Sequence, residues 1–86
     1  MKKSILVVED SKLIARKISD CLIRSNYEVV GTAATGKEAL IIAGREEPDL
    51  IIMDILLEDD MDGYQVAEKI DSMMDIPIIY LTGSGS

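Results

Sequence analysis

The sequence predicts a doubly wound α/β domain built on a parallel sheet. Four short apolar runs alternate with three amphipathic segments along the 86 residues, in the order βαβαβαβ. The first and third runs are uninterrupted by polar side chains, so their strands must be covered on both faces, as in parallel sheets flanked by helices. Strands that alternate with helices imply right-handed crossovers and parallel pairing.

The first run, "SILVVED" (4–10), is short and rich in β-branched residues and ends in two carboxylates, which reads as a buried strand with a polar tip. From 11 to 25 the period changes. Leu13, Ile14, Ile18, Cys21, Leu22 and Ile23 recur at helical spacing while Lys12, Arg16, Lys17 and Arg24 fall elsewhere. Cys21 is therefore expected in the core. Asn26 is a left-handed stop for this helix. "YEVVGTA" (27–33) is the second strand and "TGKEALIIAGREE" (35–47) the second helix, with Thr35 and Glu38 spaced as a capping box. After Pro48, "DLIIMDI" (49–55) forms the third strand, ending near Asp54. An acidic loop, "LLEDDMDG", leads to a third helix over 64–74, capped by Asp62 and turning Val66, Ile70 and Met73 inward. Pro77 opens the fourth strand, where its missing N–H does no harm.

Eighty-six residues hold one domain, and a chain of this size buries only about 60 % of its unfolded surface, so marginal stability is expected. The net charge of −7 argues against a nucleic-acid partner, whose phosphates bind through Lys and Arg. A single cysteine allows no internal disulfide and suits a reducing cytoplasm. The apolar runs are of strand length, so neither a leader peptide nor a membrane span is expected.

In an open α/β sheet the ligand site lies beyond the carboxyl ends of the strands. There the sequence places Glu9 and Asp10, Asp54 and Thr82. Two carboxylates about 4 Å apart repel by roughly 4 kcal/mol at an effective dielectric near 20, so such a cluster calls for a cation or a proton. Any one of these acids alone would be a solvated strand end or a helix cap. Acids at the ends of separate apolar strands, taken together, point to a site. Oxygen donors without His or Cys suit Mg²⁺.

"ILVVEDS", "PDLIIMDILL", "MDGYQVAEKI" and "PIIYLTG", in this order and spacing, resemble the receiver domain of two-component response regulators, over residues 4–83. The resemblance implies the flavodoxin-like strand order 2-1-3-4 and a phosphoacceptor at Asp54. It further implies Mg²⁺ held by Glu9, Asp10, Asp54 and the backbone carbonyl of Leu56, with Thr82 and Gly83 accommodating the phosphoryl group. A sensor histidine kinase would be the phosphodonor, and the domain would signal rather than catalyse, with at most weak self-phosphorylation and dephosphorylation.

Two departures stand out. The segment between Asp54 and "MDG" has one residue more than the commonest receiver pattern and carries Glu58, Asp59 and Asp60, which read as a solvated loop rather than a second metal site. The family also continues with a fourth helix, a fifth strand bearing a lysine and a fifth helix, whereas no lysine here follows Lys69. The expectation is a receiver unit over 1–83, C-terminally truncated, with a Gly/Ser tail at 84–86. The alternative is a signalling-incompetent fragment that self-associates through strand four or an uncovered sheet face. "GTAATGKEAL" (31–40) comes close to a phosphate-binding loop, but Glu38 stands where that motif needs a hydroxyl. Tyr27, Tyr64 and Tyr80 read as packing and strand residues.

Overall fold

A computed structural model describes residues 1–55, 57 and 62–81. The elements are β1 (Ser4–Val8), α1 (Lys12–Arg24), β2 (Glu28–Ala33), α2 (Gly36–Glu46), β3 (Leu50–Asp54), α3 (Gly63–Met73) and β4 (Ile78–Leu81). All three strand pairings are parallel, and the order is β2-β1-β3-β4, as expected. Val30 is an extra residue in β2, since Ile5 pairs with Val29 and Leu6 with Gly31. The boundary expected at residue 83 and the tail at 84–86 lie outside the described residues.

Alternation along the strands divides the core between the two sheet faces. Leu6, Val8, Ile51 and Met53 pack with Ala39 and Ala43 of α2 and Val66 and Ile70 of α3. On the opposite face Ile5 and Val7 meet Ala15 of α1, with Ile18, Leu22, Leu50 and Ile52 at the edges of the cluster. β1 lies between two strands and two layers, and Ile5, Leu6, Val7 and Val8 are at most 1 % exposed.

The helix that departs most from expectation is α1. Its buried line runs through Ala15, Ile18 and Leu22, while Leu13, Ile14 and Ile23 are exposed and Cys21 is an exposed free thiol rather than a core residue. The cause is size: methyl-bearing Ala15 lets the helix lie close to β1, and the larger apolar residues on its flanks turn away. Cys21, one position from Leu22, is rotated by about 100° from the sheet. Met73 is likewise exposed, because the inward line of α3 runs through Val66, Ala67 and Ile70 and ends there.

The helix ends follow local chemistry. Asn26 has φ 71, the left-handed value expected after α1. Glu47 also adopts a left-handed conformation and closes α2 ahead of Pro48. Thr35 caps α2 by accepting from the Glu38 N–H, but Glu38 does not complete the expected box. Its carboxylate takes the Ala34 N–H at 3.3 Å, one residue back. The full capping box is at α3, where Asp62 accepts from Gln65 N–H and Gln65 accepts from Asp62 N–H, both at 2.9 Å. Tyr64 and Tyr80 pack ring on ring, with centroids 5.1 Å apart, whereas Tyr27 is exposed ahead of β2.

Candidate functional site

The site is built by adjacent strands that end together. Val8 pairs with Met53, so the next residues, Glu9 and Asp54, finish β1 and β3 side by side. They continue the alternation of Val7 and Ile52 and so share the α1 face of the sheet. Both are 6 % exposed, and Asp10 is half-buried beside them. One carboxylate oxygen from each of Glu9, Asp10 and Asp54 lies within 4.8 Å of the other two. The three described acids that the sequence singles out are thus brought together. Leu56, Thr82 and Gly83, and the acidic loop residues Glu58, Asp59 and Asp60, lie outside the described residues.

Backbone contacts hold the cluster. Glu9 N–H donates to Ala33 O at 2.9 Å, which extends the β1–β2 ladder to the site. Ser11 N–H donates to the Glu9 carboxylate at 3.0 Å, and the Ser11 hydroxyl in turn accepts from Ile14 N–H at 3.3 Å. The turn that starts α1 therefore orients Glu9. Beyond Asp54, Ile55 accepts from Gly63 N–H at 2.8 Å and donates to Leu81 O at 3.3 Å, which ties β3 to α3 and β4.

The electrostatics match the crowding. Burial is the main cause that pushes the Glu9 carboxyl from its ordinary 4.5 up to about 7, and a hydrogen bond with Asp10 and the charge and hydrogen bond of Asp54 add to it. The Ser11 N–H acts in the opposite sense. A set of buried carboxylates, one of which resists ionisation, is the donor chemistry that suits a hard divalent cation.

Two contributors were hidden in the sequence. Ser11 reads there only as a helix start, yet its N–H holds Glu9. Gly63 reads as part of a turn, but a Cβ on it would sit 2.5 Å from Asp54 O and 2.8 Å from Ile55 Cα. Both neighbours are backbone, so Gly63→Ala must shift the end of β3 or the start of α3. Overpacking of this kind costs about 1–3 kcal/mol. The expected result is a lower urea midpoint together with weaker divalent-cation binding, read by denaturation and by calorimetric titration.

With this geometry in hand, known proteins give the class. Residues 5–86 match the family described as response regulator receiver domain. The chain belongs to that family. It is 45 % identical over 84 residues to a probable transcriptional regulator ycf27 of Cyanophora paradoxa, covering 98 % of this chain and 34 % of that protein. It is 38 % identical to the transcriptional regulatory protein PdtaR of Mycobacterium tuberculosis, over 93 % of this chain and 38 % of the relative. The chain therefore spans about a third of the length of the curated relatives it matches. Among solved structures, the receiver domain of a modulated diguanylate cyclase from Desulfovibrio desulfuricans superposes with a TM-score of 0.90 at 32 % identity, covering 98 % of this chain and 67 % of that one. Among the described residues no helix is long and apolar enough to cross a membrane.

Proposed function

We propose that this receiver domain accepts a phosphoryl group on Asp54 from a sensor histidine kinase, with Mg²⁺ as the cofactor. The convergence of Glu9, Asp10 and Asp54 within 4.8 Å, two of them buried, carries the reading. Glu9, Asp10, Asp54 and the Leu56 carbonyl would hold the cation, and Thr82 and Gly83 would receive the phosphoryl oxygens. When bound, Mg²⁺ offsets the negative charge that gathers between a carboxylate and a phosphoryl donor.

The chain's own part is positional. One Asp54 carboxylate oxygen attacks phosphorus, the new O–P bond forms as the P–N bond to the donor imidazole breaks, and that electron pair stays on the imidazole nitrogen. Burial limits the access of competing water to Asp54, and the Ser11 N–H orients the Glu9 carboxylate beside it. A cytoplasmic setting fits a domain that meets such a donor. The deciding experiment incubates the protein with radiolabelled acetyl phosphate. Hydroxylamine-labile label that appears with Mg²⁺ and not with EDTA supports the reading, and a protein that binds Mg²⁺ yet never takes up label overturns it.

A second reading concerns association. Ile79 pairs with Ile52 and so lies on the α1 face, where it is 53 % exposed, and β4 has a neighbouring strand on one side only among the described residues. We infer that the 86-residue chain self-associates through β4 and this face. Sedimentation is expected to show species larger than a monomer that Ile79→Lys dissociates. A compact monomer at high concentration that binds no ANS would refute it.

A further inference from the structure

We infer that the groove between α1 and the β2–α2 connection, which meets the acidic cluster at Glu9, is a binding site for a small organic anion. Its volume is about 410 Å³, within the range of small-molecule pockets. Lys12, Arg16 and Ser19 line it from one face of α1, Glu9 from the end of β1, Thr32 and Ala34 from the end of β2, and Glu38 from the first turn of α2. The groove is open because the residues where the elements meet are small: Ala15 on the helix, Ala33 and Ala34 at the strand end.

Charge selects the ligand. Lys12 and Arg16 lie one turn apart on α1, and among the described residues neither makes an ion pair, although the chain has 16 acidic side chains. The carboxylates bordering the groove are already engaged with their own elements. Glu38 accepts from the Ala34 N–H at 3.3 Å and lies 3.4 Å from the Thr35 hydroxyl, and Glu9 accepts from the Ser11 N–H at 3.0 Å. Since neither cation is paired with these carboxylates, the donors of Lys12 and Arg16 remain for a ligand, and a guanidinium matches a phosphate or carboxylate in two parallel hydrogen bonds.

The phosphate-loop-like stretch finds its explanation here. Residues 32–34 supply the floor, but the Ala34 N–H that such a loop would offer to phosphate is taken by Glu38. An incoming anion is thus received by α1 rather than by the start of α2. Glu38 and Thr32 line the other side of the groove, which favours a ligand with hydroxyl or amino donors at its other end.

The test follows backbone amide shifts of the full chain, in EDTA, during titration with AMP, citrate, inorganic phosphate and adenosine. AMP or citrate is expected to give saturable millimolar-range shifts centred on Ser19, Thr32 and Ala34. The double variant Lys12→Gln, Arg16→Gln, with its denaturation midpoint checked against wild type, should bind at least about tenfold more weakly. The assignment is overturned if neither AMP nor citrate saturates, or if the double variant binds as wild type does. It is equally overturned if inorganic phosphate or adenosine alone binds as tightly as AMP.

Discussion

Asp54→Asn is expected to take up no phosphoryl group from acetyl phosphate and Mg²⁺, while unfolding at the same temperature as metal-free wild type or higher. The amide keeps the size of the carboxylate in a site that is 6 % exposed, so packing is undisturbed. What disappears is the anionic oxygen proposed to attack phosphorus, and loss of a nucleophile lowers rate by on the order of 10³-fold or more. One of three mutually repelling acids is removed at the same time, which relieves the metal-free protein. Loss of labelling with a retained or raised Tm separates chemistry from folding. Residual labelling at wild-type level would place the acceptor elsewhere.

The metal-free protein is expected to lose stability as pH rises from about 4.5 to about 7, and Glu9→Gln is expected to abolish this loss. The sign follows from Glu9, whose carboxyl is raised from 4.5 to about 7 in the folded chain by burial and its acidic neighbours. Below 4.5 both folded and unfolded chains hold the proton. Between 4.5 and 7 the unfolded chain releases it and the folded chain retains it, so rising pH favours unfolding, and above about 7 the effect levels off. The difference amounts to about 3 kcal/mol, roughly 12–24 °C in Tm for a domain of this size. The proposed Mg²⁺ would bind the ionised form, so its apparent affinity should climb over the same interval and flatten above it. Thermal melts with and without Mg²⁺ across this range check both statements. A Glu9→Gln profile as steep as wild type would refute the assignment.

Much of the fold was readable because the strands are dense in β-branched residues and the punctuation is sharp. Asn26, Pro48, Asp62 and Pro77 each stand at the element boundary their chemistry predicts. The three described acids were readable for a topological reason, since β1 and β3 are neighbours and their final residues must meet. The inward side of α1 was not. Large apolar residues flank both edges of that helix, and the deciding residue is small Ala15, whose weight in a hydrophobic pattern is slight. Glu38 was misplaced by one hydrogen bond, because the Thr35–Glu38 spacing suits two acceptor geometries and only the loop conformation selects Ala34. The close approach of Gly63 to the Asp54 carbonyl joins segments that no local pattern connects.

The central position of β1 has a mechanical consequence. Hydrogen-bonded on both edges and buried on both faces, it belongs to the part of a fold that opens last. Glu9 is anchored at the tip of this stiff rod, and Asp54 rides on its neighbour. A charge change at such an anchor cannot be absorbed by bending the rod. The bonds that lead from the site to the rim are those of Ile55 to α3 and β4 and of the Ser11 turn to α1. Under the proposed function, those rim elements, rather than the strand that carries the acids, are where a partner would feel the state of the site.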